Sequence, residues 1–267
     1  MSLLEQLLGR TLLLVAHPDD ECVAYGTLLQ RMREPHVVYA TDGAPQDPYF
    51  WGRYGSRESY ARLRQDEARN ALACVGVGDV EFLADHSSRT GVMFEDQALF
   101  RVMPQAFEAL SEIVERLRPE AIATLAYEGG HPDHDGCNLL SAELGKVFGV
   151  AVWEAPLYHR EPGNEHGHVV QDFVTRDGSE EFVLGQPEEL ERKRAMCAAY
   201  PSQGNFLGTF QLERELVRPL HAYDYSRPAH EGRLNYEVWQ WQMSGQQVSS
   251  EFERFLQGRK VAKQPAT

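Results

Sequence analysis

Two short segments carry the side chains best suited to chemistry. Residues 17–21 (HPDDE) place one imidazole beside three carboxylates, and residues 131–134 (HPDH) place two imidazoles around one carboxylate. Two imidazoles and one carboxylate, with one position left for water, are a ligand set of catalytic zinc. Water on such a metal ion has a pKa of about 7 and is a nucleophile near neutral pH. The residue types therefore predict a metal-dependent hydrolase, provided that the segments meet.

Each role in amide hydrolysis has a candidate among these residues. The candidate metal ligands are His17, Asp20 and His134. Asp19 cannot readily share the metal ion with Asp20, so one aspartate binds metal and the other removes a proton from water. The spacing leaves open which aspartate does which. His131 remains as an acid for the leaving amine or as an electrophile for the oxyanion, and Asp133 can hold it protonated.

Buried strands must bring the two segments together. The apolar run Leu12–Ala16 predicts a strand that is covered on both faces, as in a parallel sheet. Further strands are predicted at Val37–Ala40, Val80–Leu83, Ala121–Leu125 and Ala151–Trp153. The intervening helices are predicted at 22–33, 58–75, 102–117 with a kink or a restart at Pro104, and 140–148.

This alternation predicts an α/β fold, a Rossmann-like, doubly wound and mostly parallel sheet over residues 10–155. Both histidine segments directly follow a strand, so they should meet at the carboxyl edge of the sheet. Residues 156–267 predict an irregular C-terminal extension and tail, with helices at 188–200 and within 239–255. We expect residues 1–267 to form a single domain.

Composition narrows the class of protein. The 267 residues include 26 Lys and Arg against 40 Asp and Glu, a net charge of −14 that disfavours nucleic acid and anionic membranes as partners. Four widely spaced cysteines without a C-x-x-C pair predict reduced thiols in a cytoplasmic protein. No apolar run approaches the roughly 20 residues of a membrane-spanning helix.

The motifs also resemble those of a known family. A-H-P-D-D-E at 16–21 and G-G-H-P-D-H at 129–134 are similar to the signature of the LmbE/PIG-L family of zinc-dependent N-acetylglucosaminyl de-N-acetylases. The R-Q-D-E sequence at 64–67 resembles the family's R-x-x-E helix, and residues 200–203 (YPSQ) resemble a downstream S-Q element. The resemblance implies zinc ligands His17, Asp20 and His134, the general base Asp19, and the transition-state stabiliser His131 supported by Asp133.

Substrate contacts follow from the resemblance and from one aromatic segment. Arg64 and Asp85 match family positions that contact the sugar, and Trp51 lies in a segment, 48–54, whose aromatic side chains could pack on a sugar ring. Some relatives carry a substrate-side tyrosine where this chain has Gly129, and Tyr127 is the candidate replacement.

The expected function is hydrolysis of an acetyl or acyl group from an amide nitrogen of a small polar molecule, foremost an N-acetylglucosaminyl conjugate. Zinc is the expected cofactor, and iron(II) suits the same ligands. The alternatives are a zinc-dependent amidase acting on a thiol conjugate or an acylated natural product, and a sugar-binding module without turnover. The family is compatible with a homo-oligomer, and the residues also allow a monomer.

Overall fold

A computed structural model describes residues 3–262 of the chain. The strands are β1 Arg10–Val15, β2 Glu34–Tyr39, β3 Val80–Phe82, β4 Ala121–Leu125, β5 Ala151–Ala155, β6 Tyr158–Glu161, β7 Asn164–Val170, β8 Glu181–Leu184 and β9 Arg214–Pro219. Of the tail expected over the last ten residues, 258–262 instead belong to a helix that ends at Ala262, and 263–267 lie outside the described residues.

Helices connect most of these strands. The α-helices are α1 Leu3–Leu7, α2 Asp20–Tyr25, α3 Pro48–Trp51, α4 Arg57–Cys74, α5 Ser87–Thr90, α6 Met103–Leu117, α7 Pro132–Phe148, α8 Pro187–Ala198, α9 Gly204–Leu207, α10 Asn235–Val238 and α11 Gly245–Ala262. Short 3₁₀ helices cover Leu28–Gln30, Gly52–Tyr54, Leu83–His86, Leu99–Arg101 and Pro201–Gln203. No helix within 3–262 is both long and apolar enough to cross a membrane.

The described strands form one central sheet and one hairpin. The sheet has the order β3-β2-β1-β4-β5-β9-β8, and β6 pairs with β7 in the hairpin. Strands β1 to β5 are parallel, whereas β9 runs antiparallel to both β5 and β8. The strand order reverses between β1 and β4, which is where open α/β sheets bind ligands. The expected doubly wound, mostly parallel fold is confirmed.

Alternate residues of each central strand pack on opposite faces of the sheet. In β1, Leu13 and Val15 join the core that packs against α2, α4 and α8, whereas Leu12 and Leu14 join the core that packs against α6, α7 and α11. Because both faces are covered, this strand is apolar from Leu12 to Val15. The two faces together hold the carboxyl ends of β1 and β4 at fixed positions.

The structure differs from the sequence-based expectation mainly after residue 155. The C-terminal part is less irregular than expected, because β8 and β9 extend the central sheet. Strand β9 lacks an apolar run because two of its buried residues are charged: Glu215 pairs with Lys193 at 2.6 Å and Arg218 pairs with Glu154 at 2.7 Å. Of the two alternatives at Pro104, the helix starts there rather than kinking, because Pro104 lies in the first turn of α6, where no amide hydrogen is needed.

Candidate metal centre and active site

The two histidine segments lie side by side at the point where the strand order reverses. Residues 17–21 leave β1 and enter α2, and the loop after β4 ends at His131, the N-cap of α7. The Asp133 backbone N–H donates to His131 Nδ1 at 3.1 Å, so this imidazole caps its own helix. Pro132 fills the first helical turn. Pro132 therefore helps to start α7 while His131 keeps an extended backbone, with φ −140° and ψ 136°.

Three buried imidazoles form the centre of the site. The ring centroids of His17 and His131 are 4.3 Å apart, those of His131 and His134 are 5.1 Å apart, and those of His17 and His134 are 5.3 Å apart. One ring nitrogen from each lies within 4.8 Å of the others. All three are buried. The structure thus brings together side chains from two loops that are more than 100 residues apart in sequence.

Asp20 contacts both of the histidines with which it is expected to bind metal. Its Oδ1 lies 3.3 Å from His134 Nε2, and its Oδ2 lies 3.5 Å from His17 Nδ1 and accepts the His17 backbone N–H at 2.8 Å. The predicted ligands are therefore neighbours, although Asp20 reaches the two rings with different oxygens. The donor groups that converge within 4.8 Å among residues 3–262 are His17–His131–His134 and His17–Asp96–His131–Asp133.

Asp96 is a site residue that sequence reasoning missed. It is buried, and its Oδ1 lies 3.3 Å from His17 Nε2 and 3.4 Å from His131 Nε2. That oxygen has no hydrogen-bond partner within 3–262. Asp96 comes from the loop before the 3₁₀ helix Leu99–Arg101, where no histidine, motif or strand end marks it. Only the folded chain places this loop over the two imidazoles.

The donor set fits a metal ion. Both ring nitrogens of His134 are buried without a hydrogen-bond partner in the described chain, and burial lowers the pKa of this imidazole, which keeps it neutral. Burial opposes charge on His17, but the carboxylates around it, foremost Asp96, hold its pKa well above the usual range. The histidines overcome the effect of burial and lower the pKa of Asp96 and of Asp20. This environment favours a positive charge among buried carboxylates, as a bound cation would supply.

Asp19 lies beside this cluster in an unusual backbone conformation. Its φ is 133° and its ψ is −24°, a region that residues other than glycine rarely adopt and that costs about 1–3 kcal/mol. Its Oδ2 lies 3.3 Å from Arg64 Nη2. Burial raises the pKa of Asp19 to about 8, although Arg64 opposes the shift. A carboxyl group with a pKa near neutrality suits proton transfer.

Asp133 contacts His17 more closely than His131. Its Oδ2 lies 3.3 Å from His17 Nε2 but 3.9 Å from His131 Nδ1, and the carboxylate accepts the backbone N–H groups of Gln97 and Leu99. Because His131 Nδ1 accepts a backbone N–H, a neutral His131 carries its proton on Nε2. The carboxylate that faces that nitrogen belongs to Asp96, whose Oδ1 lies 3.4 Å from it, and the expected support of His131 by Asp133 stays a prediction.

A cavity of about 440 Å³ opens onto the cluster. His17, Asp19, Asp20, Asp96 and His131 lie at its base. Its walls include Phe50, Tyr60, Arg64, Tyr158, Gln203, Phe206, Trp239 and Trp241. Most of the aromatic wall comes from residues after 155, outside the two histidine motifs. The α/β core thus supplies the base of the site, and the C-terminal part supplies most of its aromatic wall.

Of the three predicted substrate contacts, the structure places one in the cavity. Arg64 lines the wall and donates to the Gly43 and Pro18 carbonyl oxygens. Trp51 does not line it: its indole N–H donates to the Pro45 carbonyl at 3.0 Å, and the neighbouring Phe50 faces the cavity instead. Asp85 is exposed in a 3₁₀ helix and accepts from Gln65, so it is not a residue of this site.

Glycine at position 129 is required by the local backbone. Its φ is 69°, and a Cβ there would lie 2.7 Å from the Leu234 side chain, which leaves no room for a tyrosine. Tyr127 does not take the role either, because it packs among aromatic residues and its hydroxyl donates to the Arg227 carbonyl. The tyrosine that lines the cavity beside His134 is Tyr158.

Comparison with known proteins agrees with this arrangement. Residues 12–144, about half of the chain, match the family described as PIG-L: GlcNAc-PI de-N-acetylase. The chain belongs to the PIG-L family. The PIG-L match begins in β1 and ends in α7, so it includes every histidine and aspartate at the base of the cavity but none of the wall after residue 155.

Two relatives and one solved structure illustrate the range of similarity. A 1D-myo-inositol 2-acetamido-2-deoxy-alpha-D-glucopyranoside deacetylase 1 of Catenulispora acidiphila is 26% identical over 81% of this chain and 82% of its own length. A probable N-acetyl-alpha-D-glucosaminyl L-malate deacetylase 2 of Bacillus cereus is 27% identical over 72% of this chain and 82% of its own. The crystal structure of a deacetylase triple mutant of the teicoplanin biosynthetic pathway has a TM-score of 0.61 and 19% identity over 80% of this chain and 99% of its own, which shows a shared fold.

Proposed function

We propose that this protein is a metal-dependent de-N-acetylase that hydrolyses the acetamido group of an N-acetylglucosaminyl conjugate. The observation that carries the proposal is the convergence of His17, His131 and Asp20 beside Asp19 at the base of one cavity, with the buried His134 in contact with Asp20. Relatives that match most of this chain are named deacetylases of N-acetylglucosaminyl conjugates, which supports this activity over the amidase and the binding module.

Zinc is the proposed metal, with iron(II) suited to the same donors. His17, Asp20 and His134 would hold it, as the resemblance to the family implies. When bound, it polarises the amide carbonyl and makes water a nucleophile near neutral pH. The carboxylate of Asp96 gives the cluster a further donor, so removal of Asp96 should also weaken metal binding.

Asp19 is the proposed general base. Its carboxylate lies at the cavity base beside the candidate ligands, and the Arg64 guanidinium is 3.3 Å from its Oδ2. Arg64 orients the carboxylate and stabilises its charged form. Asp19 takes the proton of the attacking water while the water oxygen bonds to the acetyl carbon.

His131 is the proposed stabiliser of the oxyanion. Its Nδ1 accepts the Asp133 backbone N–H, so the neutral ring carries its proton on Nε2, from which it donates to the developing oxyanion. As the carbon–nitrogen bond breaks, Asp19 passes the proton that it took from water to the amine nitrogen, and the products are acetate and the free amino sugar. Asp133 holds the adjacent His17 ring in place through its contact at 3.3 Å.

The aromatic wall supports a sugar conjugate as the small-molecule substrate, because sugar rings pack their apolar faces on aromatic side chains. Residues 1–267 are proposed to act as one domain, since β8 and β9 continue the central sheet. A cytoplasmic location and the oligomeric state remain predictions from the sequence.

The test is amine release from N-acetylglucosamine and from its inositol and malate conjugates by purified protein. Amine release is measured with the protein as isolated, after chelation of its metal, and after zinc or iron(II) is restored. We expect release that is lost on chelation and regained with the metal. Release that persists at full rate in the chelated, metal-free protein would refute a metal-dependent mechanism, and metal-loaded protein inactive on all three substrates would refute the proposed activity.

A further inference from the structure

The strained conformation of Asp19 is held by hydrogen bonds at both of its peptide groups. Its backbone N–H donates to Glu21 Oε2 at 3.1 Å, and its carbonyl accepts the Cys22 backbone N–H at 3.2 Å and the Cys22 thiol at 2.8 Å. The N–H bond is the one that depends on a side-chain carboxylate. A positive φ persists in a residue other than glycine only where its surroundings fix it.

Glu21 is itself fixed from the C-terminal part of the chain. It is fully buried, and its second oxygen, Oε1, accepts the Tyr200 hydroxyl at 2.6 Å. The Tyr39 hydroxyl lies 3.4 Å from that of Tyr200. The following Ser202 donates its backbone N–H and its hydroxyl to Glu67 in α4, which anchors the segment. A chain of hydrogen bonds thus runs from α4 and residues 200–203 to the backbone of Asp19.

Packing alone does not explain a glutamate at this position. A leucine or methionine would fill similar space without burying a carboxyl group among the apolar residues around α2. It would, however, leave the Asp19 N–H buried without an acceptor, which native structures rarely tolerate. The Glu21 carboxylate has two oxygens: one accepts the Asp19 N–H and the other accepts the Tyr200 hydroxyl. A side chain that fixes the Asp19 backbone needs this geometry.

We infer that Glu21 and Tyr200 are positioning residues that hold the Asp19 backbone in its positive-φ conformation and thereby aim the carboxylate of Asp19 into the cavity. The inference rests on the proposed function in one respect, since it takes Asp19 as the general base. It also assigns residues 156–267 a part in the reaction, because Tyr200 lies outside the region that matches the PIG-L family.

The first experiment compares Glu21→Ala with Glu21→Gln in metal-loaded protein. The alanine removes both acceptors, so we expect kcat to fall about 100-fold, as for a misplaced catalytic group, with KM and bound metal little changed. Glutamine keeps an acceptor for the Asp19 N–H and a polar group toward Tyr200, so it should restore kcat to within about tenfold of wild type. A purely structural role would predict lower stability for both variants but no selective loss of kcat.

The second experiment uses tyrosine variants, which should fold even if Glu21→Ala does not. Tyr200→Phe should lower kcat about tenfold, because it removes a hydrogen bond to a carboxylate. Tyr225→Phe is the matched control, since Tyr225 is buried on the opposite face of the sheet and donates to Asn138 at 2.6 Å. Equal kcat values for wild type and Tyr200→Phe, or an equal loss in both variants, would overturn the inference.

Crystal structures of the variants separate this inference from the proposed function. We expect Asp19 to relax to a negative φ in Glu21→Ala and to keep its conformation in Glu21→Gln. A φ that stays near 133° in Glu21→Ala would overturn the inference even if the enzyme is active. If the wild-type protein releases no amine, the proposed function fails, and the φ of Asp19 in Glu21→Ala still decides whether Glu21 positions it.

Discussion

Replacement of Asp19 by asparagine separates proton transfer from metal binding. Asparagine has nearly the same shape, and its amide oxygen can still accept from Arg64 Nη2, which lies 3.3 Å from Oδ2 in the wild type. It cannot take a proton from water. Because Asp20 rather than Asp19 contacts His17 and His134, the variant should keep the candidate metal ligands intact.

The size of the effect follows from the role. General base catalysis contributes about 10²- to 10⁴-fold, so Asp19→Asn should lower kcat by that factor, or by about 3–5 kcal/mol of transition-state stabilisation. Metal content, measured by atomic emission on the purified variant, should equal that of the wild type. KM should change little, because the cavity walls are untouched.

The matched control is Asp66→Asn, which makes the same chemical change at an exposed position on α4. It should keep wild-type kcat. Two results would refute the reasoning: Asp19→Asn turning over within about threefold of wild type, which is far below the contribution of a general base, or Asp19→Asn losing its metal. The second result would make Asp19 a ligand and leave Asp20 as the candidate base.

Three further predictions address the metal, the pH dependence and the stability. His134→Ala should lower metal content in the same emission assay, because it removes a buried imidazole whose nitrogens make no hydrogen bond in the described chain; full occupancy would show a different ligand set. Turnover should fall about tenfold per pH unit below the pKa of Asp19, which burial raises to about 8. Because Arg64 lowers this pKa, Arg64→Gln should move the acidic limb of the pH profile to higher pH, and a limb that does not move would belong to another group. Lys193→Met should lower the free energy of unfolding in urea by about 3–5 kcal/mol, because it leaves buried Glu215 without its cation, and a loss below about 1 kcal/mol would contradict this.

The α/β core was predictable because its pattern is local. The residues of β1 and β4 that pack on the sheet faces are apolar except for Thr11 and Thr124, and α4 and α6 keep a helical period, so the elements followed from composition and spacing. Strands β8 and β9 could not be predicted in this way. Glu215 and Arg218 give β9 the sequence pattern of a polar segment. Their partners are distant in sequence: Lys193 lies 22 residues from Glu215, and Glu154 lies 64 residues from Arg218.

The same contrast between local and long-range signals applies to the residues of the site. His17, Asp19, Asp20, His131 and His134 stand in motifs directly after predicted strands, so topology alone brings them together. Asp96 follows no strand and belongs to no motif, and only tertiary packing places its carboxylate between two imidazoles. Trp51 and Asp85 do not line the cavity for a related reason, because each lies in a one-turn helix that is too short to show a period in the sequence.

Strand β9 also has a consequence for the assembly of the molecule. It covers the side of β5 that faces away from β4, with Trp153 opposite Pro219 and Glu154 opposite Arg218. A chain shortened near residue 155 would present the unpaired peptide groups of β5 as an open edge, and such edges recruit strands from other molecules. The half of the chain that holds all the predicted metal ligands should therefore self-associate when expressed alone, and the C-terminal strands keep it from polymerising.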